Sequence, residues 1–408
     1  MGIDGLSRVL GENVPEGQKF VAMKSQFGRR IAIDASCTIY QFLIALKGFQ
    51  GGQGTELTNA DGEVTSHLVG LWSRTLRMLS EGLRPIYVFD GAPPELKSQE
   101  LSRRRERAKE AAEQLDKAGE EMADVELEKI AKRTVRVTPE QTAECKKLLT
   151  LMGIPVVQAP GEAEAQCVEI VKSGQAYAVG TEDMDALAFG APRMLRHLTY
   201  SSSASKNQRA FLDGIIEYDL EKILHGLKMT HEEFIDLCIL LGCDYTSKLP
   251  GVGPVRALDG IRQHRTIESF AEYLRSKAKS EEAFDESLER FDYSSARKLF
   301  TNPDVTPGSS LEIHYCPPDV AGLKRFLIEE KLFSEERIMK GIDKLLSIRE
   351  EKTQKRLENF FGGVKSIKST RPAGSAAEPN AKKNKPFIPS GRLQKRDFKG
   401  GKKPVREV

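Results

Sequence analysis

Arg30-Ile31-Ala32-Ile33-Asp34-Ala35-Ser36 is a short apolar run that closes on an acid and a small turn. A run this short, without polar alternation, fits a strand buried on both faces. Two more runs share the pattern: Pro85-Ile86-Tyr87-Val88-Phe89-Asp90-Gly91 and Ala176-Tyr177-Ala178-Val179-Gly180-Thr181-Glu182-Asp183. Between them the apolar spacing is helical, with Leu68, Leu71, Leu76 and Leu79 on one face of His67 to Leu79, and a similar pattern from Thr142 to Met152. Strands alternating with helices predict an α/β fold, a mostly parallel central sheet flanked by helices. In such sheets a functional site lies outside the carboxyl ends of the strands, which is where the acids of all three runs fall.

Composition agrees with a globular chain: of 408 residues, 39 % are hydrophobic and 30 % charged. The net charge of +3 hides a strong asymmetry. From Val364 onward thirteen Lys and Arg face three Asp and Glu, so the tail carries +10 and the preceding body −7. An acidic body suits an enzyme that gathers carboxylates better than a passive DNA coat. The six cysteines, Cys37, Cys145, Cys167, Cys238, Cys243 and Cys316, have no C-x-x-C spacing and no zinc-like pairing with His. Reduced, mostly buried thiols in an intracellular protein are expected. No apolar run is long enough for a membrane span, and Met1-Gly2 is not read as a lipidation site because Leu6 stands where Ser or Thr is needed.

Leu96 to Lys132 is dense in Arg, Lys, Glu and Ala and has no wide apolar stripe. A solvated helical hairpin broken near Ala118-Gly119 is the plain expectation. Its part nearest Asp90 is basic: Lys97, Arg103, Arg104, Arg105, Arg107 and Lys109. Glu217 to Leu241 reads as a helical stretch leading into Gly242-Cys243-Asp244-Tyr245. Gly251-Val252-Gly253-Pro254 then sits between helical patterns, where glycines permit close backbone approach and a following helix aims N–H groups at a phosphate. Alone, such a G-x-G is an ordinary turn. Contact of this kind holds a duplex by its backbone without reading bases. Beyond Gly362 the chain is rich in Lys, Pro, Ser and Gly and is expected to be disordered.

Seven acids stand out: Asp34, Asp90, Glu162, Glu164, Asp183, Asp185 and Asp244. Asp183 and Asp185 would share one side of an extended segment. Glu162 and Glu164 would splay by about 200° in a regular helix. Pro160-Gly161 suggests a helix start, where both converge or one acts through water. Acids in such number raise each other's pKa values unless a cation is bound. Without interleaved His or Cys, hard ions fit: two Mg²⁺, with Mn²⁺ as a substitute. Two ions about 4 Å apart clamp the attacking and leaving oxygens of an in-line displacement at phosphorus. Any one of these acids, taken singly, is equally a turn former or helix cap. An aspartyl-nucleophile phosphatase would need a second Asp two residues after Asp34, and the EF-hand calcium pattern is absent.

Gln354-Lys355-Arg356-Leu357-Glu358-Asn359-Phe360-Phe361 places Gln354, Leu357, Phe360 and Phe361 on one turn-like face at the edge of the tail. Each Phe would gain about 1.5–3 kcal/mol on burial in a partner pocket. A terminal helix packed on its own domain is the alternative.

Assembled, these residues resemble the flap endonucleases of the XPG/Rad2 superfamily from Met1 to about Phe361. The motifs Met1-Gly-Ile-Asp-Gly-Leu6, Ile33-Asp-Ala-Ser36, Tyr87-Val-Phe-Asp-Gly91, Ala159-Pro-Gly-Glu-Ala-Glu-Ala-Gln166, Thr181-Glu-Asp-Met-Asp185, Leu241-Gly-Cys-Asp-Tyr245 and Phe333-Ser-Glu-Glu-Arg-Ile338 occur in the family's order. The resemblance implies a PIN-like nuclease core with a helical arch and a helix–two-turn–helix element. It implies that all seven acids bind metal, that Lys97 and Arg104 contact the scissile phosphate, and that Tyr40 stacks on the adjacent base. It assigns Gly2, Lys47, Arg103, Gly251, Gly253 and Arg256 to DNA contact, and K⁺ to the Gly251–Gly253 turn. Gln354 to Phe361 corresponds to the box that binds the sliding clamp, PCNA. The basic stretch then becomes an arch for a single-stranded 5′ flap rather than a solvated hairpin.

The implied layout is a nuclease core over 1–350, comprising an N-terminal region 1–105, arch 96–135, internal region 136–265 and C-terminal helices 266–350. A clamp motif at 351–362 and a disordered basic tail at 363–408 follow. The implied function is 5′-flap incision with 5′–3′ exonuclease activity in Okazaki fragment maturation and long-patch base-excision repair. A monomer docked on the trimeric clamp is expected, in the nucleus, with nucleolus and mitochondria as further compartments. A related exonuclease or junction nuclease, or a non-catalytic clamp-bound adaptor, are the alternatives; intact carboxylates argue against the last. Tyr200–Ala210 and Thr246-Ser-Lys-Leu249 depart from the family pattern, the first as an expected surface loop.

Overall fold

Ile31, Ala32 and Ile33 are almost wholly buried and form an interior strand, as their uninterrupted apolar character requires. The computed structural model describes residues 2–46, 49–50, 53–54, 65–117, 124–198, 214–278 and 280–350. Its strands are β1 (Gln18–Ala22), β2 (Arg30–Asp34), the short pair β3 (Phe49–Gln50) and β4 (Gln53–Gly54), β5 (Arg84–Phe89), β6 (Val156–Gln158), β7 (Ala178–Gly180), β8 (Arg193–Arg196) and β9 (Gly214–Asp219). Seven of them make one sheet in the order β1-β9-β8-β7-β2-β5-β6. β8, β7, β2, β5 and β6 run parallel, and β9 is antiparallel to both β8 and β1.

The three strands legible in the sequence, β7, β2 and β5, are neighbours. Asp34 pairs in register with Val88 and Ile33 with Gly180, so the carboxyl ends of the three strands lie side by side. Side chains alternate between the faces. Ile31, Ile33, Tyr87 and Phe89 join one core, while Ala32, Ile86, Val88 and Val179 join the other. The first core is covered by α2 (Ala35–Leu46), α3 (Ser66–Ser80) and α6 (Pro139–Leu151), the second by α1 (Leu6–Asn13), α7 (Ala163–Lys172), α8 (Asp185–Ala188), α9 (Leu220–Leu227) and α10 (His231–Leu241). Strands β1, β6, β8 and β9 carry little sequence signal: β6 has three residues and β1 is partly exposed along its length.

Glu217 to Leu241 is not one helical stretch. It contains the end of β9, then α9 and α10. Lys228 takes a left-handed φ of 57° that ends α9, and Thr230 and Glu233 form a reciprocal capping box that starts α10. The segment from Leu96 to Lys132 is two helices, α4 (Ser98–Lys117) and α5 (Asp124–Arg133), with residues 118–123 outside the described set. α11 (Pro254–His264) follows the glycine turn. Further helices, Ile267–Ser276, Glu281–Glu289, Tyr293–Thr301, Val320–Lys324 and Glu335–Glu350, complete the described chain. Among the described residues no helix is long and apolar enough to cross a membrane.

Candidate active site

Asp34 ends β2 and Asp90 follows β5, so the sheet itself delivers two carboxylates to one edge. Each is fixed by a nearby donor. Asp34 Oδ1 accepts from the Cys37 N–H at 2.9 Å, Asp34 Oδ2 from the Thr181 hydroxyl at 3.1 Å, and Asp90 Oδ1 from the Ala163 N–H at 2.8 Å. That last bond ties the end of β5 to the start of α7. Glu162 is the N-cap of α7, with extended backbone at φ −81° and ψ 138°, while Glu164 lies in its first turn. The two acids therefore do not splay as they would within a helix, and both line one pocket.

The loop after β7 bends instead of staying extended. The Asp185 N–H donates to Asp183 Oδ1 at 3.1 Å, and Asp185 starts α8. This turn, not a strand period, brings the pair together. Both carboxylates press on Gly2: a Cβ there would lie 1.8 Å from Asp183 Oδ1 and 2.3 Å from Asp185 Oδ1. Asp244 follows α10 and Gly242, whose φ of 113° only glycine adopts readily.

Five of these acids, Asp34, Asp90, Glu162, Glu164 and Asp183, line one pocket of about 1080 Å³, and Asp185 and Asp244 adjoin it through Asp183 and Lys97. Burial is deep for Asp34 and Asp185, 2 % and 3 % exposed, whereas Asp90 is exposed. Burial, then the charge of Asp90, pushes the Asp34 carboxyl up to about 7. Burial followed by the charges of Asp34, Asp183 and Asp90 raises Glu164 well above the carboxylate range. Burial followed by Asp183 and Asp244 does the same for Asp185.

The turn Glu95–Lys97 and α4 supply the other side of the pocket. Lys97 Nζ bonds Glu162 Oε1 and stands 3.7 Å from Asp244 Oδ2, and Arg104 Nη2 donates to Asp244 Oδ2 at 2.6 Å. Burial works to lower the Lys97 ammonium, but Glu162, Glu164 and Asp244 outweigh it and its pKa is raised. Tyr40 lines the same pocket from α2, Arg105 and Arg107 line it from α4, Arg133 from the end of α5 and Arg136 from just beyond it. Arg103 is exposed on α4 and does not line the pocket. Gly251 has the left-handed φ of 76° that its turn requires, Gly253 is the N-cap of α11, and Arg256 Nη1 donates to the Gly251 carbonyl at 3.0 Å. Lys47 and the box Gln354, Leu357, Phe360 and Phe361 lie outside the described residues.

Two polar residues were missed. Thr181 donates to Asp34, and Tyr245, itself buried, bonds Glu162 Oε2 through its hydroxyl. Each sits inside a motif already notable for its acids, which was the signal available. The donor set fits a hard divalent cation: all oxygen, mutually repelling, and with Asp185 Oδ1 buried without a hydrogen-bond partner. Among the described residues no three His, Cys, Asp or Glu are gathered about a single ion position. Glu162 and Asp244 are instead engaged by Lys97 and Arg104.

Residues 1–111 match the XPG N-terminal domain and residues 153–244 the XPG I-region. Flap endonuclease 1 of Trypanosoma cruzi (strain CL Brener) is 52% identical over 408 residues, the whole of both chains. Flap endonuclease 1 of Danio rerio is 45% identical over 395 residues, 97% of this chain and all of the relative. Flap endonuclease-1 from Methanococcus jannaschii superposes with a TM-score of 0.60 at 29% identity, covering 83% of this chain and 98% of that one. The catalytic core of Rad2 in complex with a DNA substrate shares the fold, with a TM-score of 0.60 at 23% identity over 84% of this chain and 99% of that one. With five of the seven acids lining one pocket and full-length relatives at about half identity, the chain belongs to the flap endonucleases of the XPG/Rad2 nuclease superfamily.

Proposed function

We propose that the chain is a Mg²⁺-dependent 5′-flap endonuclease that hydrolyses a DNA phosphodiester near the single-strand/duplex junction. The observation that carries this reading is the carboxylate pocket faced by two cations, Lys97 and Arg104, from the base of the arch. Asp34, Asp90, Glu162, Glu164, Asp183, Asp185 and Asp244 would hold two Mg²⁺, or Mn²⁺ in their place. Bound there, such ions supply Lewis-acid stabilisation of the attacking and leaving oxygens.

The protein's own groups do the rest. Lys97 and Arg104 point into the pocket and offer preorganised positive charge to the scissile phosphate. Tyr40 offers a ring on which the neighbouring base stacks. Arg105, Arg107, Arg133 and Arg136 give the arch a positive inner lining for the single-stranded flap. Gly251 and Gly253 present the N-terminus of α11 to a duplex phosphate, with Gly2, Lys47, Arg103 and Arg256 as further DNA contacts. K⁺ at the Gly251–Gly253 turn rests on the family resemblance.

We also propose 5′–3′ exonuclease activity, roles in Okazaki fragment maturation and long-patch base-excision repair, and nuclear localisation. The same reading has a monomer docking on trimeric PCNA through residues 354–361, ahead of a basic tail at 363–408. An assay on a 5′ flap, a Holliday junction and a nicked duplex, with Mg²⁺ and with EDTA, tests the central claim. Cleavage of the flap in Mg²⁺ alone is expected. Preference for the junction, or full turnover in EDTA, would refute it.

A further inference from the structure

Four of the acids, Glu162, Glu164, Asp185 and Asp244, lie in or beside three helices whose other ends meet again away from the pocket. α7 begins next to Glu162 and Glu164 and ends at Lys172. α8 begins at Asp185 and ends against Phe189. α10 begins at His231 and leads into Asp244. At the meeting point Lys172 Nζ donates to the Phe189 carbonyl at 2.8 Å, and His231 Nε2 lies 3.4 Å from the Leu187 carbonyl. Both carbonyls belong to the C-terminal end of α8, where positive charge is favoured, and the Leu187 carbonyl also accepts from the Gly190 N–H at 3.0 Å. Gly190 leaves room for this knot: a Cβ there would lie 2.9 Å from Lys172 Nζ and 3.1 Å from His231 Cε1. A pocket of about 320 Å³, lined by Lys172, Phe189, Thr230, His231, Ile235 and Phe300 among others, opens beside it.

α8 has only four residues, far below the length at which a helix holds itself, roughly 12 residues. Its position is set by the burial of Ala186, Leu187, Ala188 and Phe189 in the core and by what grips its two ends. The Asp183 carboxylate grips the first, and Lys172 and His231 grip the second. We propose that Lys172, with His231 in support, is a positioning residue that holds Asp185 in register with the acids of α7 and the loop after α10. It never touches substrate. It acts through α8, about 15 Å of α7 away from Glu162. This inference rests on the metal-binding reading above.

The test is Mn²⁺ titration of the full-length protein without DNA, followed by electron paramagnetic resonance, with flap affinity measured separately in EDTA. Outer groups that orient metal ligands typically contribute 10–100-fold in affinity, so Lys172→Met should weaken the tightest Mn²⁺ site by about tenfold. Flap affinity should not move, and Lys172→Arg should recover most of the loss. Wild-type Mn²⁺ affinity in a folded Lys172→Met protein would overturn the proposal while leaving the metal site standing. Absence of Mn²⁺ binding in the wild type would overturn both. If Lys172→Met does not fold, His231→Leu decides: weakening by about threefold supports the proposal, and unchanged affinity overturns it.

Discussion

Arg104 Nη2 donates to Asp244 Oδ2 at 2.6 Å, joining the base of the arch to the loop that follows α10 across 140 residues of sequence. Glu100 holds the same guanidinium from one turn earlier, with its Oε1 3.1 Å from Arg104 Nε. The charge is thus aimed into the pocket before any substrate arrives, which is what makes it useful when negative charge develops at phosphorus. Arg104→Ala should slow the chemical step on the order of 10²-fold, the scale for removing one preorganised donor. Single-turnover rates at saturating enzyme check this, and equal rates would reject the role.

Asp185 is the acid whose role is easiest to isolate, because its Oδ1 has no hydrogen-bond partner to lose. Burial, with the charges of Asp183 and Asp244, holds its carboxyl well above the usual carboxylate range. A carboxyl raised in the folded state binds its proton more tightly there than in the unfolded chain. Its stabilising contribution is therefore full below about pH 4 and is lost as pH rises through the folded value. Asp34, at about 7, works in the same direction. Asp185→Asn should abolish cleavage yet spare flap binding. In EDTA it should raise Tm at pH 7.5 by about 2 °C or more, with a smaller gain at pH 4.5. A gain that grows towards acid pH would contradict the electrostatic account.

The proposed clamp box, residues 354–361, can be tested apart from the catalytic core. Phe360 and Phe361 each have about 1.5–3 kcal/mol of apolar burial to offer a partner. Replacing both, Phe360→Ala with Phe361→Ala, should leave unassisted cleavage intact and remove stimulation by PCNA. Cleavage rates with and without the clamp decide it, and surviving stimulation would show that the box has been misread.

The interior of the sheet was legible because β2, β5 and β7 are covered on both faces, which forces continuous apolar runs that close on acids. The flanking strands were not, because an exposed edge such as β1 has no need of such a run. Among site residues, the seven acids were visible as motifs, but how they converge was not. Glu162 reaches the pocket because it caps α7 rather than belonging to it, and Asp183 meets Asp185 through an N–H bond to a side chain. Neither relationship has a periodicity to read. Lys172 and His231 were invisible for a related reason: each bonds a backbone carbonyl, and a carbonyl leaves no mark in sequence. The break at Lys228 was readable in principle from Thr230 and Glu233, a capping pair three residues apart.

Gly2 makes the sharpest structural demand of any residue in the site. Its φ of 73° is left-handed, and its missing side chain is the space into which Asp183 and Asp185 project. An alanine methyl there would overlap both carboxylate oxygens, at 1.8 and 2.3 Å, so one acid or the N-terminal segment has to move. The segment is not free to do so without loss, since the Asp4 N–H donates to the Gly242 carbonyl at 3.0 Å, beside Asp244. Gly2→Ala should therefore disturb three acids at once and lower the cleavage rate by about 10²-fold or more, as expected for displacing reacting groups by about 1 Å. Global stability should fall by much less, because Gly2 is peripheral to both cores. Single-turnover cleavage and thermal melting of the same variant check the two halves. A variant that cleaves normally would show that the fit of Gly2 against Asp183 and Asp185 is not part of the catalytic geometry.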